Sequence, residues 1–410
     1  MNLNSENTST GPLTGVRILD LSTVVSGPLA TMHLAMQGAD VVKVEPLGGD
    51  INRRSRQKVS ANGEFSALFV STNRGKRSIA LDLKNPRAVE VLRRLIGTAD
   101  VLVQNFRPGT MERLGLGYDT VRSLNPRLVY VSISGVGDRG PYVRKRIYDP
   151  MIQALSGLAD IQSEQVGNRP RMIRTIVADK TTSIFTAQAI AAALYARERT
   201  GAGQHVKLSL LSTMLSFLWP EGMMQYTVVG GEKSAASTNA GPDLIFEAAD
   251  GYLTVGTITD VEWQGFCDAT ERPDLKTDPR FATAERRSLN SIERITLMGE
   301  ILKARPRDEW LARLDDADVP CAPVLRRSEI VDNEQVVAME LVEVLDQPSV
   351  GHVRQPRPAA TFGDAPSPLA GARPAPSIGE HSEALLRELG YDDAEIDALS
   401  ADAVVRRAAR

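Results

Sequence analysis

Cysteine is nearly absent from this chain of 410 residues, and the two present, Cys267 and Cys321, are far apart with no C-x-x-C or Cys/His cluster around them. That spacing signals neither a disulfide framework nor a zinc site. Two buried thiols in a reducing compartment are expected instead. An excess of one charge is also missing: 48 Lys and Arg against 51 Asp and Glu leave a net charge of −3. There is thus no global basic field for nucleic acid, and any polyanionic ligand must be met by a local patch. Long apolar runs are missing too. Ile184–Tyr195 is apolar but stops at Arg197-Glu198-Arg199, short of the roughly 20 residues that span a bilayer. Met1–Pro12 is polar and lacks the basic and apolar regions of a secretory signal. It is expected to be a short lead without regular structure, and the protein to be soluble and cytoplasmic, with no membrane partner.

What is present is an alternation of short β-rich runs with helix-length segments. Val16–Leu21, Val41–Glu45, Val101–Gln104, Leu128–Ser134 and His205–Leu210 are predicted strands. Pro28–Gln37, Pro86–Ile96, Met111–Leu114, Tyr118–Leu124 and the Ala-rich Thr181–Arg199 are predicted helices. Such alternation implies an α/β, doubly wound, Rossmann-like parallel sheet, here over residues 1–210. Residues 211–232 are expected to be a linker. A smaller α+β domain follows over 233–330, opened by a hairpin at Asp250-Gly251 and continued by helices at Val261–Ala269, Ile292–Ala304 and Arg307–Asp315. Residues 331–410 are expected to return to the large domain, through the proline-rich and aperiodic Gln347–Pro376 and then helices.

Gly135-Val-Gly137-Asp-Arg-Gly140 matches G-x-G-x-x-G after a predicted strand. A dinucleotide site needs a helix to open directly after the glycines, and Pro141 and Pro150 stand in its way. The segment is read as a tight glycine loop at the sheet edge.

Over nearly its whole length the chain resembles the class III CoA-transferase family, the group that includes formyl-CoA transferase, carnitine CoA-transferases and 2-methylacyl-CoA racemase. The resemblance rests on segments in order: Gly15-Val-Arg-Ile-Leu-Asp-Leu-Ser22, Ser26-Gly-Pro28, Gly38-Ala-Asp-Val-Val-Lys-Val-Glu45, Asn73-Arg-Gly-Lys-Arg-Ser-Ile-Ala-Leu-Asp82, Ala99–Gly109, Arg113-Leu-Gly115, Ala178-Asp179, Arg197–Gln204 and Ile378-Gly-Glu-His381. Asp179 lies between the apolar, strand-like Met172–Ala178 and the Thr181 helix. From position alone its carboxylate is either a helix cap or a nucleophile in the crevice where open α/β sheets bind ligands. The resemblance implies the nucleophile, which would attack the carbonyl of an acyl-CoA thioester.

CoA carries a diphosphate and a 3′-phosphate, so its site needs cations and polar donors. The resemblance places CoA contacts on Asn105, Arg113 and Arg146, with Arg74 and Lys76 toward the adenine and 3′-phosphate. It implies CoA as the only cofactor and no metal. Two departures from relatives bear on substrate preference: Val25 stands where a relative has glutamine, and Lys180-Thr181-Thr182-Ser183 follows the aspartate. Racemases of the fold place a His before an Asp where this chain has Tyr148-Asp149. A free phenol ionises near pH 10 and is a poor base at neutral pH, whereas transferases often carry tyrosine there. Transfer of CoA from an acyl-CoA donor to a carboxylic acid acceptor is therefore expected, with Asp179 and Tyr148 as the catalytic candidates. The alternatives are racemisation and a non-catalytic CoA-binding scaffold. The resemblance further implies an interlocked homodimer, in which Asp179 of one subunit faces the other's small domain and Ser234–Gly241 closes over the site.

Overall fold

The computed structural model describes residues 11–55, 57–163, 169–230, 243–363 and 373–408. Ser234–Gly241 lies outside them. Two compact units divide the chain. One takes Met1–Gln162, Pro170–Met224 and Leu341–Arg410; the other takes Ser163–Arg169 and Gln225–Glu340.

Six strands frame the first unit: β1 (Arg17–Asp20), β2 (Asp40–Glu45), β3 (Arg77–Leu81), β4 (Val101–Gln104), β5 (Val129–Ser134) and β6 (His205–Ser209). They pair in parallel in the order β3-β2-β1-β4-β5-β6. Their Val- and Ile-rich runs suit strands buried on both faces. Leu19, Val42, Leu102 and Tyr130 point into one core and Ile18, Val41, Val101 and Val129 into the other. The sheet is therefore covered on both sides, as a doubly wound fold requires.

The helices of this unit are α1 (Ser26–Ala35), α2 (Ala67–Asn73), α3 (Pro86–Gly97), α4 (Thr110–Arg113), α5 (Tyr118–Leu124), α6 (Asp149–Leu155), α7 (Leu158–Ile161), α8 (Val177–Thr200) and α9 (Leu210–Leu218). α3 shows how the sequence writes one. Pro86 fits the first turn, Asn85 Oδ1 accepts from the Arg87 N–H at 2.9 Å, and Ala88, Val91, Leu92, Leu95 and Ile96 are buried at helical spacing.

In the second unit β7 (Ile245–Glu247), β8 (Tyr252–Val255) and β9 (Cys321–Pro323) form an antiparallel sheet. With it go α10 (Asp260–Ala269), α11 (Ala284–Leu289), α12 (Ser291–Leu302), α13 (Arg307–Asp316) and α14 (Glu334–Ala338). Trp263, Phe266, Phe281 and Trp310 fill its core, and the Trp310 indole N–H donates to the Leu302 carbonyl at 2.7 Å.

The chain then rejoins the first unit through the antiparallel pair β10 (Val342–Gln347) and β11 (Gly351–Pro356), α15 (Ser382–Glu388), α16 (Asp393–Ala401) and β12 (Val405–Arg406), which adds antiparallel to β3. Two expectations need correction here. The linker expected over 211–232 begins as α9, because Leu210, Met214 and Leu218 bury into the large core. The extended run expected over Gln347–Pro376 instead contains β11, paired with β10. Pro348 sits in the turn and Pro356 at a strand end, where a missing N–H costs no ladder bond.

Candidate active site

The strand order reverses direction between β1 and β4, and the crevice outside the carboxyl ends of strands at such a switch point is where open α/β sheets bind ligands. A cleft of about 340 Å³ lies there, with Thr23, Val24 and Ser26 after β1, Asn105–Pro108 after β4 and Ser134–Gly137 after β5. Asp179 also lines it, from the first turn of α8. The strand expected over Met172–Ala178 is absent. The helix opens at Val177, so Asp179 is its third residue rather than the end of a strand.

The reason lies 30 residues upstream. Asp149, buried at the start of α6, accepts from the Ala178 N–H at 2.7 Å and the Asp179 N–H at 3.2 Å, and its other oxygen accepts from Gln153 Nε2 at 2.7 Å. A carboxylate from another helix thus satisfies two of the first-turn N–H groups of α8. Asp179 itself is only 9% exposed. Burial, and then the Asp149 charge, push its carboxyl up to about 6 against the opposing hydroxyl and N–H of Ser26. Gly27 lets the first turn of α1 pack on the end of β1, since a Cβ there would meet Ser22 Oγ at 2.2 Å.

The glycine loop behaves as read. No helix follows Gly140 until Asp149, and Gly135 is needed because a Cβ would fall 2.7 Å from Ile147. Tyr148, 61% exposed, lines the cleft at the N-cap of α6. Asn105 lines it too, yet its amide faces the loop: Oδ1 accepts from the Thr23 N–H at 2.9 Å and Nδ2 donates to the Thr23 carbonyl at 2.7 Å. Arg146 lines the cleft, joined by Arg107 and Lys145. Those two were missed, although they belong to the same short loops as Asn105 and Arg146. Arg113 is exposed on α4, donating to Thr110 Oγ1 at 2.9 Å. It stands beyond Gly109 and Glu112, which line an adjoining cleft of about 410 Å³.

Arg74 and Lys76, the other expected CoA contacts, line neither of these two clefts. Lys76 is 1% exposed and donates to Asp20 Oδ2 at 2.8 Å, the Pro28 carbonyl and Asn73 Oδ1. Burial alone would raise the Asp20 carboxyl, but the Lys76 and Lys43 charges prevail and hold it well below the usual carboxylate range. Arg74 is buried against Glu343 at 2.6 Å and the Pro356 carbonyl. Both cations therefore hold the fold together. Val25 is buried, and Val24 and Ser26 line the cleft beside it. None of Lys180-Thr181-Thr182-Ser183 lines it, and Lys180 bonds Thr175 Oγ1 at 2.8 Å. Among the described residues no group of three or more His, Cys, Asp or Glu is arranged to hold a metal, and no helix is long and apolar enough to cross a membrane.

A buried carboxylate and three cations thus line this switch-point cleft. Residues 13–382 match the model of CoA-transferase family III. The chain belongs to this family. An acyl-CoA transferase of Fusarium pseudograminearum is 36% identical over 98% of this chain and 90% of its own length. A succinyl-CoA:mesaconate CoA-transferase of Haloarcula hispanica is 38% identical over 93% of this chain and 97% of its own. A solved CaiB/BaiF family protein from Brucella suis, 31% identical, superposes with a TM-score of 0.80 over 92% of this chain and 99% of that one. The protein is thus an enzyme, a family III CoA-transferase whose substrates are CoA thioesters.

Proposed function

We propose that this transferase moves CoA from an acyl-CoA donor to a free carboxylic acid through covalent intermediates on Asp179. The observation that carries the reading is the Asp179 carboxyl, buried at the floor of the switch-point cleft and pushed up to about 6. A carboxylate poised this close to neutrality is still mostly ionised at pH 7, and it is more nucleophilic than a solvated one. Its oxygen attacks the thioester carbonyl, the C–S bond breaks, and CoA leaves as thiolate from a mixed anhydride. The thiolate attacks the aspartyl carbonyl, expelling the donor's acid and leaving an aspartyl-CoA thioester. The acceptor carboxylate displaces the thiolate to form a second anhydride. Attack of the thiolate on the acceptor's carbonyl then releases the new acyl-CoA and restores Asp179.

Arg107, Lys145 and Arg146 face the CoA phosphates in this reading, and Asn105 orders the loop beside them. Arg113 extends the cation set outward along the adjoining cleft. Tyr148, at the mouth, orients the acyl group. A homodimer is part of the proposal. Phe217 and Trp219, at the end of α9, are large apolar side chains left exposed, the kind of surface that subunit contacts cover. Light scattering should give about twice the 44.5 kDa chain mass.

The test of function incubates the enzyme with a panel of acyl-CoA donors and carboxylic acids, succinyl-CoA first because the Haloarcula hispanica relative is named for it. New acyl-CoA thioesters by mass spectrometry are expected. Exchange of an α-proton without CoA transfer would support a racemase, and neither outcome would leave a scaffold.

A further inference from the structure

The loop between β1 and α1 is held by more than Asn105, the one tie used so far. Val24 adopts a left-handed backbone with φ +68°, a conformation costly for a β-branched residue, and strain of this kind persists only where its surroundings impose it. Three consecutive carbonyls around it each receive a different side-chain nitrogen. Lys43 Nζ donates to Ser22 O at 3.1 Å, Asn105 Nδ2 to Thr23 O at 2.7 Å, and Asn52 Nδ2 to Val24 O. Two of the three are tied to each other. Asp50 pairs with Lys43 Nζ at 2.8 Å, while its other oxygen accepts from the Asn52 N–H at 2.8 Å. Asn52 is itself buried, with its carbonyl accepting from Ser66 Oγ at 2.5 Å. The clamp is therefore anchored in the core, and two residues beyond Val24 comes Ser26, whose hydroxyl and N–H face Asp179.

We infer that Asn52 is a positioning residue for CoA transfer: acting with Lys43 and Asn105, it holds Val24 in its left-handed conformation and so fixes the start of α1 against the Asp179 carboxylate. The inference rests on Asp179 being the nucleophile. Without the Asn52 bond the Val24 peptide relaxes toward an ordinary conformation, and Ser26 moves away from the carboxylate that it orients. Substrate binding, built on the cations of the other loops, is left in place.

The test uses the full-length enzyme and a donor that supports CoA exchange, succinyl-CoA first. Asn52→Ala should lower kcat by about tenfold or more with KM for the donor within about twofold, because an orienting contact is lost and the binding groups are not. Glycine takes positive φ without penalty, so Val24→Gly added to Asn52→Ala should raise kcat above that of Asn52→Ala alone. A purely structural role for Asn52 predicts no such recovery. An unchanged kcat in Asn52→Ala, or a double variant slower than the single, overturns the inference. If Asn52→Ala does not fold, amide exchange at Val25 and Ser26 is read in the wild type. Slow exchange is expected, and exchange as fast as in exposed loops overturns the proposal. Hydroxylamine capture separates the two readings. No adduct on Asp179 in the wild type sinks the nucleophile, whereas equal capture rates in wild type and Asn52→Ala sink only the clamp.

Discussion

Asp149 and Asp179 are joined through the backbone: the Asp149 carboxylate accepts the Asp179 N–H at 3.2 Å while its charge raises the Asp179 carboxyl. One residue thus fixes the backbone of the proposed nucleophile and adds to the rise that burial gives its carboxyl. Asp149→Asn keeps an oxygen for the helix N–H groups and removes the charge. The acid limb of kcat/KM, expected at about 6 in the wild type, should move to lower pH in this variant, since only the ionised carboxylate attacks. A limb that stays in place would show that burial alone sets it.

The raised carboxyl carries a stability consequence. Folded Asp179 titrates at about 6 against 3.8 for the free side chain, so the folded state binds more protons between those values and loses stability as pH rises through them. Above pH 6 the cost is present in full, at most about 3 kcal/mol; below pH 3.8 it vanishes. Asp179→Asn should therefore be more stable than the wild type in urea at pH 7, with the gain shrinking as pH falls through that window. Equal stability at pH 7 would contradict the burial argument.

Lys76 is the partner of Asp20 in a site without water access, and removing one member of such a pair leaves an uncompensated charge. Lys76→Met should cost about 3–5 kcal/mol in urea unfolding, while any folded enzyme keeps its KM for acyl-CoA. A raised KM with unchanged stability would return Lys76 to the CoA site.

These corrections mark what the sequence could carry. Five of the six parallel strands were readable as short runs rich in Val, Ile and Leu; β3 was missed because Arg77-Ser-Ile-Ala-Leu81 holds a single β-branched residue. Asp179 was singled out through the resemblance, and the strand expected before it is a loop that runs into α8. Partners distant in sequence were not readable. Nothing local places Glu343 beside Arg74 or Asp20 beside Lys76. The start of α8 was misplaced because its cap comes from Asp149 on another helix. The β10–β11 pair hid in a proline-rich stretch, since nothing local tells a proline in a turn from one in a linker.

Arg146 lines the cleft and Arg113 stands beyond it. Arg146→Ala should raise KM for acyl-CoA by about 5- to 30-fold with little change in kcat, the loss of one or two charge-assisted bonds at a partly solvated site. Arg113→Ala should raise it less, because its side chain is exposed and its field screened. Equal affinities in both variants and the wild type would leave the phosphates to Arg107 and Lys145.

The central claim is a covalent bond to Asp179. Enzyme mixed with an acyl-CoA donor and quenched with hydroxylamine should carry a hydroxamate on the peptide containing Asp179, located by mass spectrometry. The adduct should be absent without donor and absent in Asp179→Ala, whose transfer rate should fall at least about a thousandfold. An unlabelled Asp179 during active turnover, or an Asp179→Ala enzyme that transfers CoA at near the wild-type rate, would contradict the account.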